Sequence, residues 1–214
     1  YTYFDEAIFP GLMPNLKALH EKSWVFTDVK QAPTTGFTIA GIHASLCGLP
    51  FYFSSHVNSA YGMDQFMPGA ICASDVLNQL GYSLHYRGGA KSTFAGKGTL
   101  FTTHGFHSVK GRDELIPQLK DPDYIHNWGL YDDTLLDIVF EEFLTLSAAG
   151  KPFGLFSLTL DTHHPKGHPT ARCQDKPYQD GKNELLNALH CADFLLAELV
   201  NKIQQSAYAD NTLI

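Results

Sequence analysis

A threonine at the expected start of a helix is the first residue of this sequence that could do chemistry. Thr38 follows Gly36 and Phe37 and opens a stretch of small and apolar residues that ends at Gly48. We expect Thr38 to be the N-cap of a helix, where backbone N–H groups and the helix dipole favour a phosphate or a developing alkoxide. Thr38 could therefore be a nucleophile or only a helix cap. The two interpretations are compatible, because a nucleophile can occupy a cap position.

A second candidate group follows an apolar run, in the sequence LTLDTHHP at residues 158–165. A strand that breaks into a loop carrying His163 places an imidazole beyond the carboxyl end of the strand, where parallel sheets bind ligands. Asp161 either orients His163 or accepts hydrogen bonds from backbone N–H groups of the loop. His164 and His168 are expected to be ordinary loop histidines close to prolines.

A third candidate is Lys97, which lies between Gly96 and Gly98. A cation at this position could stabilise the charge that spreads over the oxygens of a phosphodiester during attack. The alternative is a solvated lysine in a glycine turn. Trp128, in the sequence NWGLYDD, is expected to be a packing anchor at the entry to a helix.

Helical and strand patterns alternate along the chain, which predicts an α/β fold: a three-layer αβα sandwich with a mostly parallel sheet. Helices are expected at 14–22, 38–46, 74–80, 94–104, 113–120, 133–149 and 183–206, and strands at 24–29, 82–86, 106–109 and 153–160. Residues 51–68 show no periodicity and predict a surface excursion. Asp132 and Asp133 are expected to cap the sixth helix or to lie in its first turn, where the helix dipole favours acidic side chains.

The composition excludes several classes of protein. The net charge of −7, without a basic stripe, argues against a nucleic-acid partner. No apolar run reaches the roughly 20 residues that span a bilayer. The four cysteines lack the spacing of a zinc site, and they fit either two disulfides in an oxidising compartment or four buried thiols. The chain starts at Tyr1 and ends in residues that resemble the beginning of a buried strand, which indicates a fragment of a longer protein.

Four segments in this order resemble the sulfatase-like phosphoglycerol transferases of the alkaline phosphatase superfamily, which are related to lipoteichoic acid synthases. The segments are GFTIAGIHASLCGLP, GGAKSTFAGKG followed by HGF, NWGLYDD and LTLDTHHP. The resemblance covers essentially the whole chain. It implies that residues 1–214 are the central part of a catalytic domain with an alkaline-phosphatase-like sandwich, truncated at both ends.

The resemblance also implies roles for single residues. Thr38 matches the nucleophile, which forms a covalent phosphoglycerol intermediate and is a ligand of a divalent metal, Mn²⁺. His163 matches the histidine that contacts the phosphate or assists the leaving group. Lys97 and Ala95 match a substrate-binding Trp-x-Arg pair, so only the cation is retained. The other metal ligands of the family lie before Tyr1 and after Ile214, so the fragment alone is expected to be inactive.

The implied donor is phosphatidylglycerol and the implied acceptor is a periplasmic glucan. The expected location is the inner membrane of a Gram-negative bacterium, with the domain facing the periplasm and the membrane reached through segments absent from this chain. In that compartment we expect the disulfides Cys47–Cys72 and Cys173–Cys191.

Three other functions are considered. A sulfatase-like hydrolase is disfavoured because the segment from Cys47 to Pro50 has the wrong spacing and lacks the arginine of the sulfatase nucleophile motif. A phosphoethanolamine transferase would share the threonine chemistry and is excluded less firmly. A non-catalytic periplasmic binding module is the third alternative.

Overall fold

The computed structural model describes residues 4–52 and 62–214. The α-helices are α1 (Pro14–His20), α2 (Thr38–Cys47), α3 (Ala73–Gln79), α4 (Lys97–Thr103), α5 (Arg112–Leu115), α6 (Asp132–Ala148) and α7 (Glu184–Gln204). The strands are β1 (Ser83–Gly88), β2 (Ser108–Lys110) and β3 (Phe153–Leu158). Contacts divide the chain into a first unit (Tyr1–Phe26, Leu119–Thr145 and Thr159–Ile214) and a second unit (Thr27–Gln118 and Leu146–Leu158).

A parallel three-stranded sheet lies at the centre of the second unit. β1 is the middle strand, with β2 on one side and β3 on the other. The pairing of β1 with β3 runs from Ser83 opposite Phe153 to Gly88 opposite Leu158. The middle strand is more deeply buried than β3, which is half-buried except at the exposed Ser157. The expected α/β class with a parallel sheet is confirmed.

Helix α2 contributes the largest share of the apolar cluster of the second unit. The helix ends at Gly48, whose left-handed φ of 66° suits a residue without a Cβ. Ile39, Ala40 and Leu46 of α2 are buried in one cluster with Leu84 of β1. These contacts hold α2 in place within this unit.

A disulfide ties the end of α2 to the beginning of α3. Cys47 is the last residue of α2, and it is bonded to Cys72, which is the N-cap of α3. A second disulfide, Cys173–Cys191, lies in the core of the first unit. Both expected disulfide pairings are confirmed.

In the first unit, the short helix α1 is capped from another helix. No side chain of its own segment caps α1. The buried carboxylate of Asp193 on α7 instead accepts hydrogen bonds from the backbone N–H groups of Asn15 (3.1 Å) and Leu16 (2.7 Å). It also accepts one from the side chain of Asn15, at 2.7 Å. Asp193 therefore satisfies donors that a helix start would otherwise leave without partners.

The strand expected at residues 24–29 is wrong. These residues pair with no strand in the described parts of the chain, and Trp24 is fully exposed while Phe26 is 83% exposed. A β-type pattern becomes a strand only when a pleated neighbour is there to pack against it. Residues 212–214 also form no strand in this chain, and Leu213 is fully exposed.

The surface excursion expected at residues 51–68 lies partly outside the described residues. Phe51 and Phe66, which are described, are both buried, and their ring centroids are 5.2 Å apart. Both rings also pack against the imidazole of His43. The expectation of a surface segment is wrong for these two residues, because aromatic side chains bury a large apolar area.

Candidate functional site

Thr38 is the first helical residue of α2, and Phe37 rather than Thr38 is the N-cap. The N-cap expectation is thus wrong by one residue, because Phe37 has the extended backbone of a cap although its side chain cannot accept a hydrogen bond. Among the described residues, no side chain caps α2. The Thr38 side chain is half-buried and makes no hydrogen bond within residues 4–52 and 62–214. Its hydroxyl therefore lies at the positive end of a helix without a structural partner among those residues.

A tight turn before α4 sets the position of Lys97. Ala95 and Gly96 both have left-handed backbone, with φ of 57° and 78°. This conformation is costly for alanine, which carries a Cβ. The N–H group of Gly98 then donates a hydrogen bond to the carbonyl oxygen of Ser92 at 2.8 Å. Lys97 follows this turn directly as the first residue of α4.

Lys97 is a buried cation, with 1% of the residue exposed. Its Nζ lies 5.5 Å from the centre of the Phe94 ring. Within the described parts of the chain, no carboxylate forms an ion pair with it. Burial lowers the pKa of Lys97 to about 8. The interpretation of Lys97 as a solvated lysine is wrong, and a buried ammonium without an acidic partner is suited to binding an anion.

The second unit brings the elements that carry Thr38 and Lys97 together. Helix α2 contacts the turn Phe94–Gly96. Ile39, which follows Thr38, lies in the same apolar cluster as Ala95. His163 belongs to the first unit.

The ring of His163 is held by its own loop. Its Nδ1 lies 2.7 Å from the carbonyl oxygen of His164, so Nδ1 is the protonated nitrogen of the neutral ring. The His163 N–H donates to the carbonyl oxygen of Leu160 at 3.0 Å, and the His163 carbonyl accepts from the N–H of Gly167 at 3.1 Å. The lone pair of Nε2 is left to exchange a proton with a ligand.

Trp128 stacks on this imidazole. The ring centroids of Trp128 and His163 are 4.2 Å apart. Trp128 was expected to be a packing anchor, yet 37% of the residue is exposed. The indole therefore packs against the imidazole of His163. The sequence alone did not predict this contact.

Asp132 and Asp161 accept hydrogen bonds from each other's backbone. The carboxylate of Asp132 accepts from the N–H groups of Leu160 (2.6 Å) and Asp161 (3.1 Å). The carboxylate of Asp161 accepts from the N–H of Asp132 at 2.9 Å. Burial raises the pKa of both carboxyl groups, and for Asp132 the charge of Asp161 raises it further. This pairing joins the start of α6 to the loop that carries His163.

Asp161 therefore does not orient His163 directly, and that interpretation is wrong. Its second oxygen lies 3.3 Å from Nε2 of the buried His126. The His126 ring in turn stacks on His168, with centroids 4.1 Å apart. Burial lowers the pKa of both imidazoles, so the neutral forms are favoured. His168 is thus packed against a buried ring and is not an ordinary loop histidine.

The described residues do not provide a divalent metal site at Thr38. The one group of possible ligands among them is Cys47, Cys72 and His104, and its two sulfur atoms are bonded to each other. The nitrogens of His104 lie 2.9 Å from a carboxylate oxygen of Asp75 and 3.0 Å from a backbone carbonyl oxygen. A single hydroxyl falls far short of the six or so oxygen ligands that hard divalent cations take. These residues alone do not fit a metal at Thr38.

The fold places the chain in the alkaline phosphatase superfamily. The chain superposes on a protein of that superfamily from Vibrio parahaemolyticus with a TM-score of 0.76 and 26% identity, covering 96% of this chain and 48% of that one. It also shares its fold with the lipoteichoic acid synthase LtaP from Listeria monocytogenes (TM-score 0.74, 15% identity, 90% of this chain and 46% of that one). The sulfatase family profile matches residues 7–214, and the chain belongs to the sulfatase family.

A curated relative supports a narrower resemblance. The chain is 44% identical over 216 aligned residues to phosphoglycerol transferase I of Xanthomonas euvesicatoria pv. vesicatoria, strain 85-10. The alignment covers 100% of this chain and 31% of that protein, so the chain spans about a third of the relative's length. The resemblance to phosphoglycerol transferases is confirmed. Among the described residues, no helix combines the length and the apolar character needed to cross a membrane.

Proposed function

We propose that the protein containing this chain transfers phosphoglycerol from phosphatidylglycerol to a periplasmic glucan. The observation that carries this proposal is the 44% identity to phosphoglycerol transferase I along the full chain. The buried ammonium of Lys97, which has no acidic partner in the described segments, supports an anionic substrate such as a phosphodiester.

In the first step, the oxygen of Thr38, which has given its proton to solvent, attacks the phosphorus of the donor as an alkoxide. The bond between phosphorus and the diacylglycerol oxygen breaks, and a threonine phosphodiester forms. Lys97 offsets the charge on the phosphate oxygens in the transition state. His163 enters this step as the imidazolium and donates the proton of Nε2 to the departing oxygen, while its Nδ1 bonds to a backbone carbonyl.

In the second step, a hydroxyl group of the glucan attacks the same phosphorus. His163, now neutral, takes the proton of that hydroxyl at Nε2. The bond from phosphorus to Thr38 breaks, and the threonine oxygen leaves as the alkoxide with which the cycle began. One imidazole thus acts first as acid and then as base.

A hydroxyl is a weak nucleophile and needs activation. Proteins of this superfamily generally use a divalent metal. We assign Mn²⁺ to this role, with Thr38 as one ligand and the remaining ligands outside this chain, where it would lower the pKa of the hydroxyl.

The disulfides support the cellular location. Two disulfides account for all four cysteines, as is common in oxidising compartments. We assign the domain to the periplasmic face of the inner membrane of a Gram-negative bacterium, anchored by segments outside this chain.

The test is to trap the intermediate. Full-length protein with Mn²⁺ and phosphatidylglycerol labelled in its glycerol headgroup should form a labelled adduct on Thr38 and release diacylglycerol. Thr38→Ala should abolish the adduct, whereas Thr38→Ser should retain it because the hydroxyl is kept. Mass spectrometry of the tryptic peptides locates the label.

Other outcomes separate the alternatives. Normal diacylglycerol release by Thr38→Ala protein would rule out the covalent threonine. Release from phosphatidylethanolamine but not from phosphatidylglycerol would assign the protein to the phosphoethanolamine transferases. His163→Ala should lower kcat more than it raises KM for the donor, because its proton transfer occurs only in the transition state.

A further inference from the structure

The hydroxyl group of Tyr86 is a buried polar group that no step of the proposed transfer uses. Tyr86 lies on β1 and is 2% exposed. Its hydroxyl oxygen has no hydrogen-bond partner among the residues that the structure describes. A buried hydroxyl without a partner costs free energy, and a phenylalanine would fill the same space without that cost. An unsatisfied group of this kind requires an explanation.

The Tyr86 ring is held so that its hydroxyl is directed towards the carboxyl end of β1. The ring stacks on Phe101 of α4, with centroids 4.1 Å apart. A Cβ added to Gly88, the last residue of β1, would clash with the Tyr86 hydroxyl. The hydroxyl therefore occupies the side-chain space of residue 88, at the edge where parallel sheets bind ligands. Burial raises the pKa of Tyr86, so the hydroxyl stays protonated at neutral pH and can donate a hydrogen bond.

Helix α4 places Lys97 at the same edge of the sheet. The strands β1 and β2 are parallel, so α4, which connects them, runs back from their carboxyl ends. Lys97 and Phe101 are four residues apart and lie on one face of α4. The helical turn from Phe101 to Lys97 and the two strand residues beyond Tyr86 each span about 6 Å towards this edge. The hydroxyl and the ammonium are therefore directed to one region.

We propose that the Tyr86 hydroxyl donates a hydrogen bond to a phosphate oxygen of the donor, beside the ammonium of Lys97. Thr38 belongs to the same region, because Ile39, the next residue of α2, lies in one apolar cluster with Tyr86. A phosphodiester shares its charge between two free oxygens, so one of them pairs with Lys97 while the other accepts from Tyr86. This inference rests on the proposed function and adds a neutral donor to its phosphate site.

Tyr86→Phe tests the proposal directly, because it removes the hydroxyl and keeps the ring that stacks on Phe101. In full-length protein with Mn²⁺, calorimetric titration with glycerol phosphate should show about tenfold weaker binding to Tyr86→Phe than to the wild type. Urea denaturation should show equal or higher stability, because an unsatisfied buried hydroxyl is removed. Tyr82→Phe is the matched control, since Tyr82 directly precedes the amino end of β1, and it should change neither quantity.

Three outcomes overturn the inference. Equal binding by Tyr86→Phe and the wild type means that the hydroxyl contacts no phosphate. Weaker binding together with a loss of stability means that the hydroxyl is bonded within the folded protein. A wild type that binds neither glycerol phosphate nor inorganic phosphate also overturns it. Weaker binding at unchanged stability supports the phosphate site even if the wild type forms no adduct on Thr38 and the proposed function fails.

Discussion

Replacing Lys97 with methionine should make the protein more stable and less active. Methionine is unbranched and one atom shorter than lysine, so it fills most of the same space without a charge. Lys97 is buried, and burial lowers its pKa from 10.5 to about 8. At 1.36 kcal/mol per pKa unit, keeping this ammonium charged in the folded protein costs about 3 kcal/mol. The Lys97→Met protein avoids that cost.

The pH dependence follows from the direction of the pKa shift. Below pH 8, Lys97 is charged in both the folded and the unfolded chain, so the whole cost is present. Between pH 8 and 10.5 the unfolded chain holds the proton more tightly, and the stability of the wild type rises with pH. Lys97→Met protein should therefore exceed the wild type by about 3 kcal/mol at pH 7, and the difference should shrink towards pH 10.

Urea denaturation at pH 7 and pH 9.5 measures the difference in unfolding free energy between Lys97→Met protein and the wild type at each pH. Lys91→Met is the matched control, because the Lys91 side chain is 49% exposed and its pair with Asp113 spans 3.6 Å. An exposed pair of this kind contributes at most about 1 kcal/mol. If Lys97→Met protein is less stable than the wild type at pH 7, the ammonium is stabilised by the fold, and its role as an anion site is refuted.

Two further predictions concern the scaffold. Replacing Cys47 and Cys72 with alanine opens a loop with a sequence separation of 25 and should cost about 3 kcal/mol of unfolding free energy, measured by denaturation without reductant. Asp193→Ala should cost about 3 kcal/mol, since it removes hydrogen bonds from a buried carboxylate, and it should speed hydrogen exchange in α1 more than in α6.

Local signals account for the parts of the fold that the sequence predicted well. Helix α7 begins after Asn183, whose side chain accepts a hydrogen bond from the N–H of Leu186, and such a cap is readable from residue types. β3 is a short apolar run between turn residues, and in β1 the apolar Leu84 and Tyr86 alternate with polar residues. The segment 24–29 also contains several apolar residues, but it becomes a strand only beside a partner strand. The residues of the segment do not indicate whether such a partner is present.

Some features of the candidate site could also be predicted from local sequence, and others could not. Thr38 and His163 lie beside local patterns that suggest chemistry. Lys97 follows Ala95, whose backbone is left-handed. Alanine rarely adopts this conformation, so the residue type alone does not predict the turn that precedes the buried Lys97. The bonds between Asp132 and Asp161 join residues 29 positions apart, and the contact of Trp128 with His163 joins two loops. Long-range contacts of this kind are settled by tertiary packing.

The reciprocal bonds of Asp132 and Asp161 have an evolutionary consequence. Each carboxylate accepts a hydrogen bond from the backbone of the other residue, so a change at one position leaves a buried N–H group of its partner unsatisfied. A change at the second position leaves further N–H groups unsatisfied, because each bond joins a side chain to a backbone that stays in place, so the two losses add. Selection should therefore retain each acid whether or not the other is present, while residues further along the loop drift independently.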